Sequence, residues 1–246
     1  MQVMASDFDS TLYFMDGGFH AEDLAAIAHF QKEGNLFGLC TGRSTRGITD
    51  VVKGRVPFDF YILESGSLIL DRDLNEIYSR CMPWTMAETL LEEYVFPKDY
   101  LYVVHAGDTV YGVPVTYSDG TSIEPLEDLD PDRVFQVSLA LEDYEAARKA
   151  ARAINQKYGH LVTAFQNKKF LDIISAGCSK GRGVDYLRDL YRPEVMAGIG
   201  DSYNDLSMLQ AADVSFTMSA SPEDVKSFAD HVVGSVAEAI AILETM

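Results

Sequence analysis

Short apolar runs alternate with amphipathic stretches over the first third of the chain. Residues 2–8, 35–41 and 58–63 are mainly apolar and have the length of buried strands. Between them, apolar positions recur at helical spacing over residues 21–33 and 44–53. The order strand, helix, strand, helix, strand predicts parallel strands joined by right-handed crossovers.

The same alternation returns in the last third of the chain. The pattern predicts strands over residues 195–199, 214–217 and 231–233, with helices over residues 181–190 and 204–211. A further helix is expected from Pro222, because a first helical turn tolerates a missing N–H, and a final helix ends near Glu244. These elements extend the first sheet, so both ends of the chain together predict a doubly wound α/β fold.

The middle of the chain follows a different pattern. Its predicted helices cover residues 85–94 and 142–158, and its predicted strands cover residues 100–105, 109–115, 134–141, 161–165 and 170–174. Strands that follow one another without intervening helices are typical of an α+β domain. We therefore expect a core domain of residues 1–81 and 178–246, with an α+β domain of residues 82–177 inserted into it.

Composition narrows the possible partners. The chain has 20 Lys and Arg residues against 38 Asp and Glu residues, a net charge of −18, and no basic run that would attract nucleic acid. No apolar run reaches the ~20 residues that span a bilayer, and no secretory signal is visible, so no membrane partner is expected. Cys40, Cys81 and Cys178 are odd in number and far apart, which favours a reducing, cytoplasmic compartment.

Three polar clusters follow predicted parallel strands. Asp7 and Asp9 follow the first strand, Thr41-Gly42-Arg43 follows the second, and Gly-Asp-Ser-Tyr-Asn-Asp, from Gly200, follows the strand over residues 195–199. The carboxyl edge of an open α/β sheet is where ligands bind. We therefore expect the three clusters to converge on one crevice.

The carboxylates of these clusters suit a hard cation. Asp7 and Asp9 are two residues apart in extended chain, so both side chains point to the same side. Like charges this close need a proton or a cation between them, and Asp201 could supply a third oxygen ligand for Mg²⁺. A single Asp at a strand end usually caps a turn. Asp205 is the fourth acid at matching strand ends, after Asp7, Asp9 and Asp201, and four such acids together favour a functional site.

Cationic and hydroxyl side chains lie near the same predicted edge. Thr41 and Arg43 precede a predicted helix and could hold an anion beside its free N–H groups. Lys180 starts another helix, where its charge opposes the helix dipole, so helix stability does not explain it. Lys168 and Lys169 occupy a predicted turn of the inserted domain, where they either contact an anionic substrate or are simply solvated.

These residues resemble the motifs of the haloacid dehalogenase (HAD) superfamily. Asp-Phe-Asp-Ser-Thr, from Asp7, is similar to the DxDxT nucleophile motif, Thr41-Gly42-Arg43 to the second motif, Lys180 to the third and the string from Gly200 to the fourth. That last string, and an insertion between the second and third motifs, resemble the Cof-type sugar-phosphate phosphatases with a type IIB cap. The resemblance covers the whole chain and implies an HAD core with an inserted cap.

The resemblance also implies roles in a Mg²⁺-dependent phosphatase that acts on a small phosphorylated metabolite, as a monomer or homodimer. Asp7 would attack phosphorus and form an aspartyl-phosphate, and Asp9 would act as general acid and base. The phosphate would be bound by Thr41, Gly42, Arg43, Lys180 and Asn204. The Mg²⁺ would be bound by Asp7, the backbone carbonyl of Asp9, Asp201 and Asp205, where Asp205 either ligates directly or orients Lys180.

Two positions depart from the subfamily pattern. Ser10 stands where Gly is usual, and Glu64-Ser65-Gly66 stands where Asn-Gly is usual. Ser65 lacks the paired donor and acceptor of an amide, so substrate contacts near it are expected to differ.

Other functions remain open at this point. A phosphomutase with the same cap would return the phosphoryl group to a sugar. A signalling receiver would hold the phosphoryl group on Asp7, but it gains from lacking a second carboxylate such as Asp9 and needs no inserted domain. A binding protein with a degenerate site is disfavoured, because every motif residue is present.

Overall fold

The computed structural model of the chain describes residues 1–15, 18–113 and 122–246. The described strands are β1 (Gln2–Ser6), β2 (Tyr13–Phe14), β3 (Gly18–Phe19), β4 (Leu36–Cys40), β5 (Phe60–Leu63), β6 (Leu68–Asp71), β7 (Glu76–Ser79), β8 (Leu101–Ala106), β9 (Thr109–Gly112), β10 (Glu124–Pro125), β11 (Val134–Ala140), β12 (Val162–Asn167), β13 (Phe170–Ser175), β14 (Val195–Gly200), β15 (Val214–Met218) and β16 (His231–Val233). The described α-helices are α1 (Ala21–Lys32), α2 (Thr45–Val52), α3 (Trp84–Leu90), α4 (Tyr144–Tyr158), α5 (Lys180–Tyr191), α6 (Leu206–Ala211), α7 (Glu223–Lys226) and α8 (Val236–Leu243).

The larger sheet joins both ends of the chain. Within the described residues it has eight strands in the order β16–β15–β14–β1–β4–β5–β6–β7. The six strands from β16 to β5 are parallel, as predicted, and β6 and β7 continue the sheet as an antiparallel hairpin. The apolar pattern predicted the parallel part and missed this hairpin.

Helices cover both faces of the larger sheet. Met4 and Leu39 face α1, α2 and α8 in one apolar cluster. Val3, Ala5 and Cys40 face α5 and α6 in another, because successive side chains of a strand point to opposite faces. This doubly wound arrangement confirms the predicted fold class and leaves the carboxyl ends of β1, β4 and β14 at one edge.

The inserted segment forms a second sheet, which we call the cap sheet (β8 to β13). Its order is β10–β9–β8–β11–β13–β12, and its pairs are antiparallel except β9 with β10. α3 and α4 pack on one face, over side chains such as Val137 and Leu139. The opposite face turns Gln136, Ser138 and Asp172 toward the core, since residues alternate along each strand. The predicted strand over residues 109–115 ends at Gly112 here, and residues 114–115 lie outside the described residues.

Element ends differ from the predictions for local reasons. β1 ends at Ser6 rather than at residue 8, since the chain then turns and Phe8 enters the core. The long cap helix begins at Tyr144, because the Asp143 carboxylate caps it by accepting a hydrogen bond from the Ala146 N–H. The helix predicted over residues 204–211 starts as a 3₁₀ turn, Tyr203–Asp205, before α6.

The cap sheet is closed over the carboxyl edge of the core sheet. The Arg46 N–H donates to the Asp108 carbonyl at 2.7 Å, and its guanidinium pairs with Glu124 at 3.1 Å. Arg133 pairs with Glu76 at 2.7 Å. Two of the three free cysteines, Cys40 and Cys178, are buried. Over the described part of the chain, every helix is too short or too polar to cross a membrane.

Candidate active site

Asp7 and Asp9 stand where β1 leaves the sheet. The Asp7 N–H donates to the Ile199 carbonyl at 2.8 Å, which prolongs the pairing of β1 with β14 by one residue. Phe8 is fully buried, and Ser10 has a φ of 64°. A left-handed backbone suits Gly best, which explains the usual Gly at the position of Ser10. The turn places both carboxylates on the wall of one cavity.

Lys180 lies beneath Asp7 in the core. The Ser179 hydroxyl caps α5 by accepting from the Arg182 N–H at 3.0 Å, which places Lys180 at the first position of the helix. Its Nζ lies 2.6 Å from Asp7 Oδ1 and 2.5 Å from Asp205 Oδ1, with the side chain 1% exposed. This buried ammonium therefore fixes two carboxylates at once.

Asp205 is held on both of its oxygens. Its Oδ2 accepts hydrogen bonds from the N–H groups of Asp201 and Ser202 at 3.0 Å each, and its Oδ1 accepts one from Lys180. Asp7, Asp201 and Asp205 each place an oxygen within 4.8 Å of the other two. Because Asp205 is occupied on both oxygens, its position favours orienting Lys180 and the Asp201 backbone over ligating a metal.

The acids of this cluster carry more negative charge than Lys180 balances. Burial raises the pKa of Asp7 well above its usual range, and the charges of Asp205 and Asp201 raise it further against the lowering effect of Lys180. Burial and Asp205 raise the pKa of Asp201 to about 6. Burial lowers the pKa of Lys180, but Asp205 and Asp7 raise it more, so Lys180 stays charged. An oxygen-lined site with unbalanced negative charge fits a hard divalent cation such as Mg²⁺.

Asp9 and Arg43 form a two-point ion pair. Arg43 Nε donates to Asp9 Oδ2 and Arg43 Nη2 donates to Asp9 Oδ1, both at 2.8 Å. The guanidinium lies 5.2 Å from the centre of the Phe8 ring, and Nη1 donates to the Gly47 carbonyl at 3.2 Å. The sequence placed Arg43 near the site but did not indicate that Asp9 would engage it.

Thr41 and Gly42 form a loop after β4 that packs on the loop after β5. The Thr41 N–H donates to the Ile62 carbonyl at 2.8 Å, and the Thr41 carbonyl accepts from the Ser65 N–H at 3.0 Å. A Cβ on Gly42 would stand 3.1 Å from Ser65 Oγ. The two loops are therefore in close contact, and a side chain at Gly42 would push them apart.

The site residues surround a cavity of about 290 Å³ between the core and the cap sheet. The core contributes Asp7, Asp9, Ser10, Thr41, Gly42, Arg43, Asp201, Ser202 and Asn204. The cap contributes Val103, His105, Gln136, Ser138, Asn167, Lys168 and Asp172. Of the two turn lysines, Lys168 lines this cavity, whereas Lys169 lies 5.6 Å from the Phe170 ring. The predicted clusters thus converge on one crevice.

A larger groove of about 910 Å³ lies elsewhere, on the helix-covered side of the cap. It runs between α4 and the segment that follows α3, with Tyr94, Leu139 and Arg148 in its walls. None of the candidate site residues lines it. The chemistry therefore belongs to the smaller cavity.

Glu64 and His105 were missed as site residues by the sequence analysis. Glu64 is fully buried in the core, and its Oε2 lies 2.6 Å from Nδ1 of the cap residue His105. Glu64, Ser65 and Gly66 have φ values of 52°, 54° and 98°, so the chain turns sharply there. The departure from the subfamily pattern at Glu64 was the available signal. Asp172 was missed too, although it alternates with the apolar Leu171 and Ile173 in a strand.

The chain matches the family model for haloacid dehalogenase-like hydrolases over residues 4–246. It is 26% identical over 234 residues to phosphoglycolate phosphatase 2 of Saccharolobus solfataricus, with 94% of this chain and 84% of that protein covered. A haloacid dehalogenase-like hydrolase from B. subtilis has a structure similar to this one, with a TM-score of 0.88, 19% identity and coverage of 99% of this chain and 100% of the other. A subclass IIB sugar phosphatase is similar with a TM-score of 0.81, 17% identity and 100% of both chains covered.

The fold and the family model together define the class of protein. The chain belongs to the haloacid dehalogenase-like hydrolase family. Its architecture is that of the Cof-type members with a type IIB cap, which confirms the resemblance seen in the motifs, and it is a phosphoester hydrolase.

Proposed function

We propose that the chain is a Mg²⁺-dependent phosphomonoesterase that acts on a small phosphorylated metabolite through an aspartyl-phosphate on Asp7. The observation that carries this proposal is the position of Asp7. Its carboxylate lines the cavity floor, 2.6 Å from the buried Lys180 and beside Asp201. A carboxylate held this way is oriented for attack on a phosphorus atom in the cavity.

The aspartyl-phosphate on Asp7 divides one displacement at phosphorus into two easier ones. One oxygen of Asp7 bonds to phosphorus as the bond from phosphorus to the leaving oxygen breaks. Lys180 holds Oδ1, and no described residue hydrogen-bonds to Oδ2, which favours Oδ2 as the attacking atom. Water then attacks phosphorus, inorganic phosphate leaves, and the Asp7 carboxylate is restored.

Asp9 would move the proton in both steps. It gives a proton to the leaving oxygen in the first step and takes one from the attacking water in the second. Its carboxylate now pairs with Arg43 at 2.8 Å on each oxygen. To serve as an acid, Asp9 has to exchange this contact for one with the leaving oxygen, so Arg43 would position Asp9 between turnovers.

The Asp7 carboxylate, the Asp9 carbonyl and the Asp201 carboxylate are the proposed Mg²⁺ ligands. The Asp9 carbonyl accepts no hydrogen bond from the described residues, so it is available to a cation. When bound, Mg²⁺ offsets the repulsion between the substrate phosphate and the carboxylates. Asp205, first considered as a ligand, would act through Lys180 and the Asp201 backbone instead.

The phosphoryl oxygens would be held by residues on the cavity wall. Thr41 offers its hydroxyl, Gly42 its backbone N–H and Asn204 its amide. Lys180, buried behind Asp7, adds its positive charge from below the wall. Donors fixed in place before reaction stabilise the charge that spreads over phosphoryl oxygens in the transition state. Arg43 joins this set once its pair with Asp9 opens.

A sugar phosphate is the substrate class that we favour. The cavity of about 290 Å³ lies at the lower end of the range for ligand sites and suits a small metabolite. The similar subclass IIB structure is a sugar phosphatase, whereas the curated relative acts on phosphoglycolate. The polar cap residues that line the cavity, such as Gln136, Ser138 and Asp172, favour a sugar phosphate over phosphoglycolate. Free cysteines agree with a reducing, cytoplasmic location.

Turnover of p-nitrophenyl phosphate with Mg²⁺ tests the proposal. Asp7→Asn should abolish phosphate release, because an amide is not a nucleophile, and Asp9→Asn should accumulate a protein heavier by one phosphoryl group in intact mass spectra. Asp73→Asn, in the exposed turn after β6, is the control and should retain full activity. Unchanged turnover by Asp7→Asn would contradict the mechanism. With a sugar phosphate as the substrate, formation of a sugar bisphosphate without free phosphate would instead indicate the phosphomutase.

A further inference from the structure

The cap sheet presents a polar face directly over the cavity. Gln136 in β11 stands opposite His105 in β8, and Ser138 stands opposite Val103 in β8 and Asp172 in β13. These five side chains line the cavity. The leaving group of a substrate bound at Asp7 has to lie between them and the core.

One carboxylate oxygen of Asp172 is hydrogen-bonded within the cap, and the other is available to a ligand. Its Oδ1 accepts hydrogen bonds from the Ser138 hydroxyl at 2.7 Å and from Gln136 Nε2 at 3.4 Å. Gln136 Nε2 also reaches the Gly42 carbonyl at 3.3 Å. Asp172 Oδ2 has no hydrogen-bond partner among the described residues, and it lies 3.8 Å from the point where a Cβ on Gly42 would stand. The free oxygen therefore lies close to the loop of Thr41 and Gly42.

His105 likewise has one ring nitrogen engaged and one available. Its Nδ1 contacts Glu64 Oε2 at 2.6 Å, and within the described chain no group hydrogen-bonds to Nε2. Burial lowers the pKa of His105, but the charge of Glu64 and its hydrogen bond raise it more. The ring is therefore favoured as an imidazolium, with Nε2 as a donor.

The two free atoms have complementary chemistry. Nε2 donates and Oδ2 accepts, which matches a hydroxyl group, since a hydroxyl both accepts and donates. Burial raises the pKa of Asp172 above its usual range, and the hydrogen bond from Ser138 opposes that rise. With Glu64 and Asp172 both ionised and His105 protonated, the group carries a net charge of −1. A second anionic group on the substrate would meet repulsion from this charge and would leave Oδ2 without a donor.

We propose that His105 Nε2 and Asp172 Oδ2 bind hydroxyl groups of the leaving group and thereby select sugar or polyol phosphates against phosphorylated carboxylic acids. Asp172 is a specificity-determining residue, while Ser138 and Gln136 position it. This inference rests on the proposed phosphatase function and names its substrate class.

Lys168 is the competing determinant. It lines the same cavity from the turn between β12 and β13, and its ammonium would attract a carboxylate. If Lys168 governs the leaving group, phosphorylated acids are preferred and Asp172 has no effect on the choice. The two possibilities therefore predict opposite substrate preferences.

Steady-state kinetics on three substrates tests the inference. p-Nitrophenyl phosphate has no hydroxyl on its leaving group, sorbitol 6-phosphate has several, and phosphoglycolate has a carboxylate. Asp172→Asn should lower kcat/KM for sorbitol 6-phosphate by about 10- to 100-fold, mainly through KM, because a hydrogen bond to a charged group is lost. The same variant should change kcat/KM for p-nitrophenyl phosphate less than about threefold. It should raise kcat/KM for phosphoglycolate relative to that for sorbitol 6-phosphate.

Three further variants complete the test. Ser138→Ala should show a smaller loss, again on sorbitol 6-phosphate alone, because Asp172 is then less well positioned. Asp132→Asn removes an exposed cap charge outside the cavity and should alter none of the three ratios. An equal loss on all substrates in Asp172→Asn, or a wild-type preference for phosphoglycolate that Lys168→Met abolishes, would overturn the inference. No turnover of p-nitrophenyl phosphate by the wild type would instead overturn the proposed function, and the inference with it.

Discussion

Glu64 of the core and His105 of the cap sheet form a buried pair across the cavity, with 2.6 Å between Oε2 and Nδ1. Glu64 is 0% exposed and His105 is 7% exposed. The pair therefore joins core and cap in the closed arrangement in which the cavity is formed.

The pair should make stability depend on pH. The pKa of His105 is raised above 6.5, by Glu64 and in spite of burial, and burial raises the pKa of Glu64 above 4.5. A raised pKa means that the folded state binds the proton more tightly, so this stabilisation is present at low pH and is lost as the pH rises. His105→Gln should lose less stability between pH 6 and pH 8 than the wild type, measured by urea unfolding. If the free energy of unfolding changes with pH equally in the variant and the wild type, the predicted role of the pair is contradicted.

Lys180 should be essential for stability as well as for activity. Lys180→Met leaves Asp7 and Asp205 buried without their cation, and we expect a loss of about 3–5 kcal/mol in the free energy of unfolding. Lys157→Met breaks an exposed pair with Glu93, which solvent screens, and should cost far less. Urea unfolding compares the two. Equal losses would show that the buried ammonium has no special role.

Gly66 should tolerate no side chain. Its φ is 98°, and a Cβ there would lie 2.1 Å from the Ser179 carbonyl, next to Lys180. Gly34 has a similar φ of 87° with nothing within 4 Å, so Gly34→Ala should cost only the backbone strain, about 1–3 kcal/mol. Gly66→Ala should cost about 1–3 kcal/mol more, from overpacking, and should reduce turnover. The difference in Tm between the two variants measures the contact, and similar Tm values would refute it.

Removal of divalent metal should stop hydrolysis. The unbalanced charge of Asp7 and Asp201 predicts that EDTA abolishes turnover and that added Mg²⁺ restores it. Mg²⁺ at 100 times its Kd should also stabilise the wild type by about 2.7 kcal/mol, seen as a rise in Tm. Asp201→Asn should show a much smaller rise at the same Mg²⁺ concentration. Full activity after EDTA treatment would exclude the proposed metal dependence.

Local features of the chain were predictable from sequence because they depend on neighbouring residues. The apolar runs that became β1, β4, β5 and β14 are short and flanked by helices with clear periodicity, so their order alone indicated a parallel sheet. The clusters that begin at Asp7, Thr41 and Gly200 follow from that order, since parallel strands end at a common edge. The β6–β7 hairpin escaped prediction because its pairing depends on the neighbouring strand β5.

Contacts between distant parts of the chain were decided only in three dimensions. The sequence determined which acids, hydroxyls and cations stand at strand ends, because that follows from local patterning. The tertiary structure decided that Arg43 would pair with Asp9, that both oxygens of Asp205 would be occupied, and that Glu64 would meet His105. Such pairings depend on how the cap sheet lies over the core, and that packing joins residues whose sequence neighbourhoods carry no sign of one another.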